Sequence, residues 1–297
     1  MAATQGRISN GRLLINVVTG GDPQQNKGDG INLPHAERYE ITNEFLGIYR
    51  ALLRGETVRH KGKHFEISDG RVLYPSVQKP YPSLYFGGSS EEGFRVGAKH
   101  IDKYLTWGEP TPQVAEKVAE KVAVMRRHAE TEGREVTFGI SLHVIVRETM
   151  VEARAAADRL ISRLDDATIA EAQKVFARMD SVGQTRMSAL HGGRRDTLAI
   201  SPNLWAGVGL VRGGAGTARV GDPDTVAERI DKYRRFSIAS FIFSGYPLPE
   251  EAYSFGGLVL PHLPLAHPIP RRDLRVNTGP FGETVAGDHK PRLQAAQ

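Results

Sequence analysis

The chain has 297 residues, 40% hydrophobic and 25% charged, which is ordinary for a soluble globular protein with a sizeable core. Its net charge of +5 suits an anionic small molecule as well as weak nucleic-acid affinity and selects neither, while the isolated arginine pairs at 126–127, 194–195 and 271–272 make no nucleic-acid stripe. The lack of cysteine excludes disulfides, thiol nucleophiles and cysteine metal sites. No apolar run reaches the ~18 residues of a membrane span, and the first residues lack the apolar core of a signal peptide, so a cytoplasmic protein is the expectation.

Residues 12–19, RLLINVVT, form an almost continuous apolar, β-branched run that predicts a buried parallel strand. The GGDP that follows ends it, which puts Thr19 where a strand's carboxyl end meets a loop, the usual place for ligands in α/β folds. Asn16, inside the run, is either a satisfied core amide or a ligand contact, and the core reading is favoured on the residue alone. Residues 35–53 have helical spacing, with Tyr39, Phe45, Ile48, Tyr49, Leu52 and Leu53 mostly on one face and Gly55 placed to end the helix. Residues 62–67 and 72–73 read as a hairpin excursion. LYFGG at 84–88 is a second strand, running into Ser89, Ser90, Glu91 and Glu92. Strand, glycines, serines and helix start together can cradle a phosphate on free backbone N–H groups, although a plain helix cap accounts for Ser90 equally well.

YLTW at 104–107 is a third strand, and residues 111–132 a long helix with Val114, Val118, Val122 and Met125 at helical spacing. VTFGISLHVIVR at 136–147 is a fourth strand. His143 stands in its middle, where a histidine is more often a hydrogen-bonded core residue than a catalyst. An alanine-rich helix follows at 150–164. Residues 165–192 continue as polar helical sequence before dissolving into a loop region, and the whole of 165–219 is too long for a simple connection and reads as an insertion. It contains WAGVGLVRGGAG at 205–216, with five glycines and the single cation Arg212. That glycine content predicts a mobile loop outside the core, either a floppy surface segment or a lid that closes over an anion. Asp222 and Pro223 start a helix to residue 235, ASFIFS at 239–244 is a fifth strand, and residues 249–263 a last helix. From Pro264 to residue 297 the chain reads as an extended, proline-rich polar tail.

Strand–helix units in series imply a parallel sheet, either open and doubly wound or the last five units of a (β/α)8 TIM barrel. The first strand begins near Met1 with no helix before it, which favours the barrel.

The stretches SNGRLLINVVTGGDP, HAERYE, PYPSLYFGGSS, YLTWGEP, LHVIVRET, SPNLWAGVGLVRGGAGT and SGYPLPEEAY resemble, in order and over nearly the whole chain, the bacterial luciferase-like flavin-dependent monooxygenases, above all those that oxygenate alkanesulfonates. The resemblance implies a TIM-barrel enzyme that takes reduced FMN from a separate NAD(P)H-dependent FMN reductase. With O2 it would convert an alkanesulfonate to an aldehyde and sulfite, as a homo-oligomer, usually a tetramer. It implies that His143 and Tyr246 are active-site residues and that Arg212 belongs to a mobile lid over flavin and sulfonate. It further implies that Trp107 lies in the active site and that Thr19, Tyr39, Ser89 and Ser90 lie near the flavin, the tyrosine and serines at its phosphate. Two departures accompany it. The family pattern carries about three more βα units ahead of the first strand seen here, so the chain is expected to be a fragment or mis-started frame unless that part is supplied otherwise. Ser141 stands where the family usually has an arginine facing the sulfonate. Three readings stay open on the residues: an alkanesulfonate monooxygenase, a relative with another substrate, and an inactive truncated product.

Overall fold

The computed structural model describes residues 1–265 apart from 89 and 132, together with 277–278 and 284–285. A short helix, α1 (Ala2–Ile8), precedes the first strand, against the sequence expectation. It has no apolar period to announce it. It is held by tertiary contacts instead: Ala2 and Ala3 pack on the core, and Arg7 donates to the Pro75 carbonyl at 3.1 Å. Strand β1 (Ile15–Val17) is the paired centre of the apolar run. Helix α2 (Pro23–Gly28) was not expected either; Asp22 caps it by accepting from the Gln24 N–H at 2.9 Å, and Pro23 takes its first position.

Helix α3 (His35–Arg54) buries Tyr39, Leu46 and Leu53, which recur at sevens along one face, and ends at Gly55 with φ 91°. Strands β2 (Val58–Lys61) and β3 (Glu66–Gly70) form the hairpin, earlier in the chain than its apolar residues suggest. Glu44 of α3 sets that position. Its carboxylate accepts from the backbone N–H groups of His64 at 3.1 Å and Phe65 at 2.8 Å, filling the turn. Then come β4 (Leu84–Phe86), α4 (Glu91–His100), β5 (Lys103–Trp107), α5 (Thr111–Thr131) and β6 (Thr137–Val146). Helix α6 (Met150–Ile161) starts with a reciprocal Thr149–Glu152 capping box.

The insertion carries two more helices, α7 (Asp166–Ala177) and α8 (Val182–Ala189), and three short strands: β7 (Ala199–Ser201), β8 (Leu204–Trp205) and β9 (Ala218–Gly221). Helix α9 (Pro223–Arg234), capped by Asp222, strand β10 (Ile238–Ser244) and helix α10 (Leu248–Leu258) complete the unit of residues 1–262. In the second unit, 263–297, β11 (Asn277–Thr278) pairs antiparallel with β12 (Thr284–Val285). The tail expected from Pro264 otherwise falls almost wholly outside the described residues.

In the eight-stranded sheet β9 continues parallel from β6 and is followed by β8 and β7, with β8 antiparallel to both of its neighbours, while the all-parallel run is β1-β4-β5-β6-β10. Along that run, with the β2–β3 hairpin and the insertion strands set aside, each strand neighbours the one before it. A doubly wound sheet would reverse direction partway, so this order is that of a barrel. Strand β6 explains its own sequence: it bonds β5 through 137–141, β9 through 143–146 and β10 on its other edge, so almost every residue is buried. No helix among the described residues is long and apolar enough to cross a membrane.

The glycine-rich stretch is only partly a loop, which corrects the sequence reading. Trp205 is in β8, and Gly207–Leu210 form a buried 3₁₀ turn. Trp205, Val208 and Leu210 belong to a second hydrophobic cluster with Ala153, Ala157 and Ile169 of α6 and α7. Fully burying one such leucine contributes about 1.5–3 kcal/mol, so this half cannot swing freely. Val211 still packs against that cluster, and only residues 212–215 stand out from the core.

Candidate active site

The carboxyl ends of β1, β4, β5, β6 and β10 open into one cleft of about 880 Å³, covered by α7, α8 and the turn 211–215. Thr19, Tyr39 and Ser90 line it toward β1 and β4. Trp107, His143, Arg212 and Tyr246 line it toward β5, β6 and β10. The structure therefore brings together every candidate residue named from the sequence except Ser89, which lies outside the described residues.

At the first end, the turn from β4 into α4 leaves room only for glycine. A Cβ on Gly88 would lie 2.8 Å from the Phe86 ring and 3.1 Å from the Tyr39 hydroxyl. One on Gly93 would lie 3.3 Å from the same hydroxyl. Tyr39 thus hangs over the N-terminus of α4, propped edge-on by Phe86 and flanked by His35, whose ring centroid is 4.8 Å away. Backbone N–H groups, a helix N-terminus and a phenol around Gly87 and Gly88 fit a phosphate. The Ser90 side chain works for the helix: its Oγ accepts from the Gly93 N–H at 3.1 Å. The Glu92 carboxyl is held below the usual range by its own backbone N–H and by the Ser90 hydroxyl.

At the other end, His143 is buried and stacks on Tyr246, with ring centroids 5.3 Å apart and planes at 27°. Burial and the nearby Arg212 charge push its pKa down to about 4, partly opposed by a hydrogen bond to the Ala215 backbone. The ring is neutral near pH 7. Its Nδ1 is buried without a hydrogen-bond partner among the described residues. A buried polar atom left over in a cleft marks where a ligand atom fits. Arg212 reaches across from the insertion, donating from Nε to the Tyr246 hydroxyl at 3.0 Å and from one terminal nitrogen to the Gly213 carbonyl at 3.0 Å.

Sequence reasoning missed the contribution of α7 and α8. Asp180 pairs with buried Arg38 at 3.1 Å, Arg178 with Asp22 at 3.0 Å, and Arg186 with buried Glu109 at 3.1 Å. Helix α8 lies so close to Trp107 that a Cβ on Gly183 would come 2.8 Å from the indole. Phe176, Met179 and Gln184 thereby become cleft walls. One signal was available: Ser181 and Gln184 stand three apart, the spacing of a capped helix start, and the Ser181 Oγ accepts from the Gln184 N–H at 3.2 Å.

Residues 1–240 match the family model described as luciferase-like monooxygenase. Among solved structures, the chain is similar to riboflavin lyase RcaE, determined with modified FMN and riboflavin as substrate, at a TM-score of 0.69 and 21% identity, covering 88% of this chain and 65% of that one. It is similar to the long-chain alkane monooxygenase LadA at a TM-score of 0.68 and 22% identity, covering 88% and 64%. It is similar to the EDTA monooxygenase EmoA from Chelativorans sp. BNC1 at a TM-score of 0.63 and 19% identity, covering 88% and 69%. Likeness at these identities speaks for the fold, a mostly parallel α/β sheet of TIM-barrel type. The chain spans 65% and 64% of the length of the first two.

Proposed function

As the chain belongs to the luciferase-like monooxygenase family, we propose that it serves a reduced-FMN-dependent monooxygenase that converts an alkanesulfonate with O2 to an aldehyde and sulfite. The observation that supports this reading most is the pairing, in one cleft, of the glycine turn at Gly87 and Gly88 beside Tyr39 with the His143–Tyr246–Arg212 cluster.

FMN fits the residues present. Its phosphate would be held by the turn at Gly88 and Ser90 with the Tyr39 hydroxyl, and Thr19 and Trp107 would flank the remainder. Bound in its reduced form, FMN supplies the two electrons with which O2 delivers one oxygen atom to the substrate and the other to water. A separate NAD(P)H-dependent FMN reductase would deliver it, and the working assembly would be a homo-oligomer, as in the proteins the quoted motifs resemble.

The chain's own residues supply binding, dryness and proton control. Arg212 offers charge-assisted hydrogen bonds to a sulfonate oxygen. Tyr246 accepts from Arg212 and keeps its own hydroxyl proton free to donate. His143, neutral at pH 7, holds or takes a proton at Nδ1. Helices α7 and α8 wall one side of the reacting end and narrow the approach of water, which would compete there. With octanesulfonate, an FMN reductase, NADPH and O2, folded protein should release sulfite; no sulfite above the reductase-only control would overturn the proposal.

Ser141 favours a second reading, a relative in this family with another substrate. It lines the same cleft and sits in register with Trp107. A serine there gives no second cation for a sulfonate.

A further inference from the structure

Gly213 and Gly214 share a peptide unit whose two polar ends point at different partners. Its carbonyl, on Gly213, accepts from the Arg212 guanidinium at 3.0 Å. Its N–H, on Gly214, donates to Oε1 of Gln184 at 2.8 Å. Gly214 has φ 90°, a conformation that costs glycine nothing. With glycine on both sides, this peptide would flip easily if left to itself, turning the carbonyl away from Arg212.

Gln184 is built to prevent that. It is 2% exposed. Its Nε2 donates to the Ser188 hydroxyl at 3.2 Å, which leaves Oε1 as the atom that faces Gly214. A Cβ on Gly213 would sit 3.4 Å from that oxygen and 3.2 Å from Phe176, so the segment is pressed against α7 and α8 as well as bonded to them. On the other side of Arg212, Gln173 of α7 donates from Nε2 to the carbonyls of Leu210 at 2.8 Å and Gly209 at 3.3 Å. The turn that carries Arg212 is pinned before and after the arginine.

We propose that Gln184 is a positioning residue: by fixing the Gly213–Gly214 peptide it holds the Arg212 guanidinium against Tyr246 and His143. The helices of the insertion thereby set the place of the cleft's arginine. The monooxygenase reading gives this placement its purpose, but the placement can be read without flavin, so the two stand or fall separately.

The test is a double-mutant cycle in the flavin-free protein, with the His143 ring titration followed by NMR. Gln184→Leu keeps the bulk and removes the acceptor. Arg212 then leaves His143, and the titration midpoint moves up by about half a pH unit or more, because a nearby positive charge is gone. In an Arg212→Ala background the same Gln184→Leu change leaves the midpoint where Arg212→Ala alone put it. An unmoved midpoint in the single variant, or an equal shift in both backgrounds, overturns the proposal. Hydrogen exchange at the Gly214 amide covers the case of a poorly folded leucine variant. Gln184→Glu, which keeps an acceptor oxygen, should protect that amide as the wild type does, and exchange at the rate of an open loop would refute the pin.

Discussion

Ser141 and Trp107 are register partners on β6 and β5, and both line the cleft on the side where Arg212 and Tyr246 meet. A side chain at 141 can therefore reach the same ligand atoms as Arg212. A hydrogen bond between charged partners contributes about 1.5–3 kcal/mol when it is well desolvated. Ser141→Arg is accordingly expected to tighten octanesulfonate binding by roughly tenfold to a hundredfold, measured by calorimetric titration. Unchanged affinity in a folded variant would remove position 141 from sulfonate recognition. His143 shows what the sequence could and could not say at this scale. A histidine inside an apolar strand reads as core, and it is buried. Its stacking on Tyr246 comes from a residue about a hundred positions away in the chain, which no local pattern contains.

Strand β6 and helix α10 are joined by one ion pair that deserves a test of its own, because it sits behind the Tyr246 turn. Arg147 donates to both carboxylate oxygens of Glu251, at 2.6 and 3.1 Å, and the Glu251 side chain is 4% exposed. Glu251 packs so tightly on Gly245 that a Cβ there would come within 2.3 Å of it. Removing the arginine strands a buried carboxylate, which costs about 3–5 kcal/mol for a fully buried pair. Arg147 is 30% exposed, so the low end applies. Arg147→Ala should lose about 3 kcal/mol in urea unfolding at pH 7.5, and Glu251→Gln in that background should recover part of it. A loss within experimental error would show that water reaches Glu251. The elements that the sequence announced are those whose own residues carry the signal. β4, β5, β6 and β10 are largely apolar runs, three of them (β4, β5 and β10) ended by glycine, and α9 starts with Asp222 and Pro223. Strand β9 did not announce itself, being four residues long with an arginine inside it. Arg219 is buried there because the Pro202 carbonyl and the Tyr233 hydroxyl receive its protons, partners that only the folded chain supplies. The glycine-rich stretch misled for the same reason: glycine gives freedom only where nothing packs, and Val208 and Leu210 pack on α6 and α7.

Across the unit of residues 1–262, burial of neutral histidines couples folding to pH. His100 accepts from the Arg50 guanidinium at Nδ1, at 3.3 Å, because arginine can only donate. Its Nε2 proton then goes to Asn43 Oδ1 at 2.9 Å. That arrangement has no place for a second ring proton. Burial first, then the charges of Arg50, Lys99 and Arg134, push the His100 pKa down to about 3. His143 is pushed down to about 4. Both values lie below the ~6.5 of a histidine in the unfolded chain. From about pH 6.5 downward the unfolded chain therefore binds protons that the folded chain refuses, and stability falls as pH falls. The slope is at most about 1.4 kcal/mol per pH unit for each such histidine. The lowered carboxylates, such as Asp22 beside Arg178 and Glu40 beside Lys63, act in the same direction but near or below their ordinary pKa values of 3.8 and 4.5. Between pH 7 and pH 5 the histidines thus dominate. The urea midpoint should drop steadily over that interval, and His100→Leu should flatten the drop, whatever it does to stability at pH 7.5. An equal slope in wild type and variant would mean that His100 takes up its proton in the folded protein, and that the Arg50 and Asn43 contacts yield to water before the fold does.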